Sequence, residues 1–383
     1  MKTEKLYYKD AYIKEFDARV LSVTEREGKY DTVLDRTAFF PEEGGQHADT
    51  GRIDGVSVLA VSECDGIIHH ILEKPVAEGS ICHGEIDFDV RFDKMQLHSA
   101  EHLVSGIIHS LYGGENVGFH LGPDEVTFDT DIPLTWEMLD RVEELANRAI
   151  YENREIIQHF PSSEELSALT YRAKLELTED VRIVEIEGYD SCACCAPHVR
   201  CTGEIGIIKF SYFEKHKGGM RVYLLAGKRA YDFLSHIFRE ADKIGTLLSA
   251  PTASVASEVE KLHSAKCALG YKLSAKTLAL ASAYADSFTP EGRSPVVYLP
   301  ELDMAALREY TNLVFDRLSG ILVALIGEAG DYKYVIRATS RDVTDFIKEA
   351  NAALGGKGGG RGSMAQGSFT ASLEEIKSYF ERL

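Results

Sequence analysis

The stretch "MQLHSAEHLVSGIIHSLYGGEN", residues 95–116, is where the period of the chain changes. Upstream, "ARVLSVTEREGKYDTVLDRTAFF" (18–40) alternates apolar and polar residues, with Gly28 as a turn, and "GRIDGVSVLAVSECDGIIHHIL" (51–72) repeats the pattern. Period two is the mark of half-buried strands, so residues 1–90 are expected to be β-rich. Past Asp87 the apolar positions shift to Met95, Leu97, Val104, Ile107, Ile108 and Leu111, which is helical spacing, until "YGGEN" stops the run.

Working outward, Thr135 stands where an N-cap would, ahead of a helix with Leu139, Val142, Leu145 and Ala149 on one face. Strand character returns in "VRIVEIEGYDSCACCAPHVRCTGEIGIIKFSYF" (181–213), interrupted by a cysteine loop. Residues 91–229 therefore read as an α+β domain. From 230 to 288 there is no strand signal: "AYDFLSHIFREADKIGTLL" is one helix, "SAPTAS" a break, and 255–287 a long second helix. The pair suits either a spacer arm or two helices of a bundle packed on the main body. Residues 289–383 alternate again. Strands "VVYL", "GILVALIG" and "KYVIRAT" interleave with helices "MAALREYTNLVFDRL" and "VTDFIKEANAAL", then a glycine-rich loop precedes a closing helix. The expected class is multidomain α+β, with a small C-terminal α/β domain.

At 383 residues and 44% hydrophobic content the chain has room for several cores, and no apolar run approaches the roughly 20 residues of a membrane helix. The N-terminal "MKTEKLYYKDAY" lacks an apolar signal core, so a cytoplasmic location is expected. A net charge of -19 argues against non-specific nucleic-acid binding by the whole surface. Residues 205–230 are an exception, with six Lys or Arg against one Glu, and a polyanion would meet Lys215, Lys217 and Arg221 there. A solvated basic turn has the same composition.

Seven cysteines include four within ten positions, Cys192, Cys194, Cys195 and Cys201, which points to metal or redox chemistry before disulfides. Cys64, Cys82 and Cys267 are scattered and read as packing thiols. His98 and His102, i and i+4 on the expected helix, project from one face one turn apart. Alone, that pair fits surface decoration as well as a site. "CCAPH" at 194–198 adds Cys194 and His198 at ligand spacing, and one thiolate with three imidazoles suits tetrahedral zinc. Cys192 or Cys195 could take the place of Cys194. "HSAEH" also matches the H-x-x-E-H of inverted zinc proteases, with Glu101 in the position of their base. Such a protease needs a distant carboxylate ligand and an open metal position, and the distal partners here are a thiolate and an imidazole.

"HSAEH" followed by "CCAPHVRCTGEIG" resembles the H-x-x-x-H and C-x-x-x-H pairs of the alanyl-tRNA synthetase editing domain and of its stand-alone relatives, the AlaX proteins. "LDRTAFFPEEGGQHADTGRI" (34–53) is similar to that family's T-x-F-Y-P-x-x-G-G-Q-x-x-D-x-G segment, and "GFHLG" (118–122) fits too. "GGKGGGRGSMAQGS" (355–368) resembles the glycine-rich signature of the DHHA1-type domain. Nothing resembles an aminoacylation core, so the likeness is to the long stand-alone editing form, and on that likeness residues 1–90 are expected to be an N-terminal β-barrel-like domain.

The resemblance implies hydrolysis of mischarged tRNA(Ala), with seryl-tRNA(Ala) the leading substrate and glycyl-tRNA(Ala) a second. It implies Zn2+ held by His98, His102, Cys194 and His198, and catalytic or substrate-binding roles for Thr37 and Gln46 beside Gly44 and Gly45. Thr37 matches the threonine that hydrogen-bonds the seryl hydroxyl, and a site built for a hydroxyl rejects an analogue lacking it by roughly 10⁴ or more. Correct alanyl-tRNA is then spared, whereas cleavage of the glycyl ester needs another explanation. The C-terminal domain is implied to bind tRNA, through Lys357 and Arg361 among its glycines, and often to self-associate as a homodimer. Cys195, Ala196 and Pro197 replace the family's Gly-Gly-Thr, and Phe40 replaces its tyrosine. No general base stands out, so water activated by metal, pocket or the tRNA's terminal hydroxyl all remain open. A non-catalytic tRNA-binding module with structural zinc is the non-enzymatic alternative.

Overall fold

A computed structural model of the chain describes residues 2–122, 126–173, 181–290, 292–339 and 342–382. It is a mixed α/β multidomain protein whose contacts divide it into two compact units, residues 1–240 and 241–383. Among the described residues no helix is long and apolar enough to cross a membrane.

The first unit opens with β1 (Glu4–Lys5), β2 (Glu15–Arg26), β3 (Lys29–Leu34), β4 (Arg36–Thr37), β5 (Gly51–Ile53), β6 (Val56–Cys64), β7 (Ile67–Leu72) and β8 (Ile81–Ile86). Six of them close on themselves in the order β2-β3-β7-β6-β5-β8. The alternation read from sequence sets the inner face. Phe16, Ala18 and Val20 of β2 point inward, as do Ile68, His70 and Leu72 of β7, the histidine being the polar exception. Leu34, Phe39, Phe40 and Ile53 fill the interior, each burial contributing roughly 1.5–3 kcal/mol. β4 pairs in parallel with β1, setting Thr37 opposite Lys5.

Helix α1 (Phe88–Tyr112) begins sooner than its apolar rhythm announces and ends, as "YGGEN" suggests, at Gly113, whose φ of 70° caps the last turn. Every residue from Lys94 to Ile108 is buried, so α1 is the central rod of this unit. Around it stand β9 (Asn116–Leu121), β10 (Val126–Thr130), α2 (Trp136–Glu152), β11 (Ile156–His159), α3 (Ser163–Ala168), β12 (Ile183–Ile186), β13 (Asp190–Ala193), β14 (Ile208–His216) and β15 (Gly219–Ala226). The Thr135 hydroxyl accepts from the Met138 amide, the cap expected for α2. Two small antiparallel sheets, β14-β15-β10-β9 and β11-β12-β13, complete a core that joins Leu103 and Ile107 of α1 to Leu139 and Val142 of α2.

Buried charge ties α1 to the ring. Arg91, 1% exposed, donates from Nε to Asp49 (2.8 Å), from Nη1 to the Ala11 carbonyl (3.1 Å) and from Nη2 to the Ala38 carbonyl (2.6 Å). Asp49 also accepts from the Phe40 amide at 2.6 Å. One turn on, Lys94 donates to the His47 and Ala48 carbonyls (3.2 and 2.6 Å).

α4 (Gly227–Leu248) leads from the first unit into the second, which continues with α5 (Val255–Asp286). α5 is exposed over most of its length and buried only at Ala281 and Ala285, where it meets the core containing Leu307 and Tyr310. Then come β16 (Val296–Tyr298), α6 (Met304–Leu313), β17 (Ile321–Glu328), β18 (Asp331–Ala338), α7 (Val343–Ala353), β19 (Lys357–Arg361), β20 (Met364–Phe369) and α8 (Leu373–Glu381). Here the sequence reading needs correcting. The expected glycine-rich loop is in part an edge strand, β19, paired antiparallel with β20 in a five-stranded sheet ordered β16-β17-β18-β20-β19. Local propensity hides it, because glycine is a poor strand former and the partner strand supplies the ladder. The glycines allow the close pairing: a Cβ on Gly360 would lie 2.1 Å from the Met364 carbonyl oxygen.

Replacing Asp49 by Ala leaves a buried guanidinium without its counter-charge, a loss of about 3–5 kcal/mol. Urea unfolding followed through the single tryptophan, Trp136, is expected to show this as a large drop in midpoint for D49A.

Candidate metal centre

α1 presents His98 and His102 one turn apart, with ring centroids 5.4 Å from each other. After β13 the chain leaves the sheet, and the following loop returns Cys194 and His198 to the same point. The His198 ring lies 4.9 Å from that of His98 and 4.6 Å from that of His102. Cys194 Sγ stands 3.6 Å from His98 Nε2 and 3.4 Å from His198 Nε2. One ligand atom from each of the four residues lies within 4.8 Å of the others. A tetrahedral shell with metal–sulfur bonds of about 2.3 Å and metal–nitrogen bonds of about 2.05 Å has sulfur–nitrogen edges of about 3.6 Å. The observed separations match that edge, so the donor set fits a tetrahedral cation.

What aims the rings is a set of partners on their far nitrogens. His98 Nδ1 donates to Gln46 Oε1 (3.0 Å) and His102 Nδ1 to Asp190 Oδ2 (3.2 Å), while His198 Nδ1 is hydrogen-bonded with Ser99 Oγ (3.0 Å). The Gln46 carbonyl oxygen and the Asp190 carboxylate can only accept, so His98 and His102 each carry a hydrogen on Nδ1, and the Nε2 atoms of His98 and His198 face Cys194. The partners are themselves held. Asp190 Oδ1 accepts from Arg172 Nε at 2.8 Å, and Ser99 Oγ from the Val199 amide at 3.2 Å. Arg182, 4% exposed, donates to the Cys194 and Ala196 carbonyls (2.9 and 2.8 Å) and so braces the ligand loop.

Charge follows geometry. Burial pushes the Cys194 thiol up, but His98, His102 and His198 together outweigh it and hold the thiol well below its ordinary range. Burial pulls His102 down, yet the Cys194 and Cys192 sulfurs and Asp190 outweigh it and raise this imidazole well above 6.5. Burial lowers His198 to about 3. Cys194 is thus biased toward thiolate and His102 toward its protonated form, so a cation binding there competes with a proton. Cys194 is the thiol in the four-residue group. Cys192, its thiol pushed up to about 11 by burial, groups instead with His102 and Asp190. Cys195 hydrogen-bonds Glu43, and a Cβ on Gly44 would lie 3.4 Å from its sulfur.

The Gly44–Gly45 turn (φ 63° and 80°) delivers Gln46. A Cβ on Gly45 would lie 2.5 Å from the Phe119 carbonyl oxygen, and the Leu121 amide donates to the Gly45 carbonyl at 3.1 Å. Only glycine lets this turn lie so close to β9. Gln46 is 1% exposed, and its Nε2 has no hydrogen-bond partner among the described residues. Thr37 is fully buried, its hydroxyl 2.9 Å from His70 Nε2 and accepting from the Phe39 amide at 3.1 Å. Glu101 is buried too, its carboxylate accepting from Ser105 (2.5 Å) and from Asn116.

Of the basic residues, Lys215, Lys217 and Arg221 lie on the β14–β15 hairpin. Arg221 pairs with Asp129 through Nε (2.7 Å) and Nη2 (2.8 Å), while Lys215 and Lys217 are exposed. Lys357 and Arg361 are exposed at the two ends of β19 in the second unit. Sequence reasoning passed over Asp190, Ser99, Arg172, Arg182, Arg91, Lys94 and His70. A signal existed for two of them, since Arg91, Lys94, His98 and His102 run at spacings of three, four and four, a polar stripe along a buried helix.

Purified protein is expected to retain one tetrahedral cation per chain by elemental analysis, and to lose it in Cys194→Ala or His198→Ala. Asp190→Asn should weaken retention about 10–100-fold with the ligands intact. Affinity should rise with pH, because loading expels the His102 proton.

Two family models match the chain: the threonyl and alanyl tRNA synthetase second additional domain over residues 181–223, and the DHHA1 domain over 294–383. The chain is 28% identical to alanyl-tRNA editing protein AlaX-L of Pyrococcus horikoshii, over 97% of this chain and 96% of that protein. Alanyl-tRNA editing protein AlaX-M of Methanosarcina mazei is 38% identical over 58% of this chain and 95% of its own length. Alanine–tRNA ligase of Ignicoccus hospitalis is 31% identical over 95% of this chain, which spans only 41% of that ligase.

Proposed function

This chain belongs to the alanyl-tRNA editing protein family, and from that premise we propose that it deacylates mischarged tRNA(Ala) in trans. Seryl-tRNA(Ala) is the chief substrate in this reading and glycyl-tRNA(Ala) the second. The observation that carries it is the convergence of Cys194, His98, His102 and His198 beside the buried Gln46 amide, whose Nε2 has no partner among the described residues.

We assign Zn2+ to the centre, since one thiolate with three imidazoles in a tetrahedral arrangement suits that ion. When bound by His98, His102, Cys194 and His198 it would supply a fixed positive charge able to polarise the ester or hold the aminoacyl end. The chain's own residues do the rest. Gln46 holds His98 with its carbonyl and keeps an amide donor for the substrate. Thr37 recognises the seryl hydroxyl, and the Gly44–Gly45 turn brings backbone close to the aminoacyl group. Lys215, Lys217, Arg221, Lys357 and Arg361 serve the tRNA backbone, with Arg221 held in place by Asp129. The ring of strands acts as the barrel, and Thr37, on β4 outside the ring, meets it through His70 of β7. The C-terminal domain binds tRNA and mediates self-association, and the work is done in the cytoplasm.

A second reading has a specific observation behind it. Four protein ligands fill a tetrahedral shell, as in purely structural zinc sites. A peptidase reading is disfavoured because Glu101 is taken up by Ser105 and Asn116.

Release of labelled amino acid from preformed seryl-, glycyl- and alanyl-tRNA(Ala) separates these readings. Deacylation predicts rapid loss of serine with alanine retained, abolished in His98→Ala. It also predicts serine-over-alanine selectivity reduced about tenfold or more in Thr37→Val, and activity kept in Glu101→Gln. Zinc-loaded, folded protein that releases no serine would leave the structural-zinc reading in possession.

A further inference from the structure

The inner face of β7 carries one polar side chain, His70, between Ile68 and Leu72. It is completely buried and lies edge-on to Phe39, with ring centroids 5.6 Å apart. A hydrocarbon would pack there without the desolvation cost of an imidazole. Both ring nitrogens nevertheless have defined partners. Nδ1 is 3.1 Å from the Thr32 carbonyl oxygen and Nε2 is 2.9 Å from the Thr37 hydroxyl.

Those two contacts determine where each proton lies. A backbone carbonyl can only accept, so Nδ1 carries the ring hydrogen; the other tautomer would set two lone pairs against each other. Burial lowers the imidazole to about 4, which leaves it neutral at physiological pH. Nε2 is then a bare acceptor and takes the Thr37 hydroxyl hydrogen. The Phe39 amide donates to the same oxygen at 3.1 Å. The Thr37 hydroxyl has given up its donor and one of its two lone pairs, and one lone pair remains.

We propose that His70 is a positioning residue that fixes Thr37 as a pure hydrogen-bond acceptor toward the substrate, so that the site selects a side chain able to donate. The proposal rests on the reading of Thr37 as the seryl-recognising group. A freely rotating threonine would bond a donor or an acceptor side chain alike. With its hydrogen held by His70 it can only accept. Serine satisfies it. Alanine leaves the lone pair unpaired, and a side chain of similar size that can only accept opposes it. Discrimination then depends on proton direction as well as on pocket size, and the imidazole that sets that direction belongs to a different strand from Thr37.

The test uses full-length, zinc-loaded protein and tRNA(Ala) acylated chemically with serine, alanine or 3-fluoroalanine, whose fluorine cannot donate. Wild type, Thr37→Val, His70→Leu and His70→Gln are compared by kcat/KM on each ester, with kcat and KM resolved. Nitrogen-15 NMR of histidine-labelled wild type reads the His70 tautomer independently of activity. The proposal expects Nδ1 protonated and Nε2 bare in wild type. It also expects the seryl-to-3-fluoroalanyl ratio to narrow by about tenfold in His70→Leu relative to the alanyl baseline. His70→Gln, which offers a carbonyl acceptor to Thr37, should recover part of the ratio. A merely structural role would move all three esters together. A protonated Nε2 in wild type overturns the proposal even if every His70 variant fails to fold. So does an unchanged ratio in His70→Leu when Thr37→Val loses it. If Thr37→Val keeps wild-type selectivity, or wild type releases no serine, the reading of Thr37 or of the function fails instead.

Discussion

Arg91 and Asp49 meet with both side chains removed from water, and the geometry of the whole first unit passes through that contact. The guanidinium reaches Asp49, the Ala38 carbonyl and the Ala11 carbonyl, and Asp49 also takes the Phe40 amide. One cation on the first turn of α1 therefore fixes the segment from Ala38 to Asp49, which connects Thr37 to Gln46. His98 follows Arg91 by seven residues, about two helical turns, so the pair also sets the height at which α1 offers its first imidazole. Buried ion pairs contribute little net stability against an apolar substitute. This one is better understood as a register device, because an apolar contact would tolerate sliding and a forked guanidinium with four oxygen acceptors does not.

The centre itself is held by the same logic one layer further out. Three imidazoles turn Nε2 toward one sulfur because Gln46, Asp190 and Ser99 occupy the three Nδ1 atoms. These three partners come from the glycine turn, from β13 and from α1. The ring segment, the sheet and the helix must all be in place before the ligands point correctly. The three imidazoles hold the Cys194 thiol low against its burial, and His102 with Arg172 does the same for the Asp190 carboxyl. Polar groups this deep are tolerable only when each has its partner, which makes the Gln46 amide nitrogen, without a partner among the described residues, conspicuous.

Much of this was legible in the sequence where physics is local. The change of period near Asp87, the Thr135 cap, the stop at Gly113 and the alternation of strands and helices after 289 all rest on side-chain spacing or on the conformational limits of single residues. The His98/His102 and Cys194/His198 pairs were visible as spacing too. The start of α1 at Phe88 was less so, because its first turn carries Asp89 and Arg91, charges that read as surface until Asp49 is seen opposite. β19 is not legible as a strand, since three glycines between Lys357 and Arg361 have no pattern of their own.

What the sequence determined by itself is what one segment can encode: which stretches are helical or extended, which face of each is apolar, and which donor atoms recur at ligand spacing. Only the tertiary structure decided that Cys194, and neither Cys192 nor Cys195, joins the three imidazoles. It alone decided that Asp190 and Arg172 stand behind His102, that Ser105 and Asn116 hold Glu101, and that His70 takes the Thr37 hydroxyl hydrogen. Each of these last contacts except Ser105 to Glu101 joins residues 15 or more positions apart. A hydrogen bond has a direction and a range of about 3 Å, and neither can be read from sequence until packing has brought donor and acceptor together.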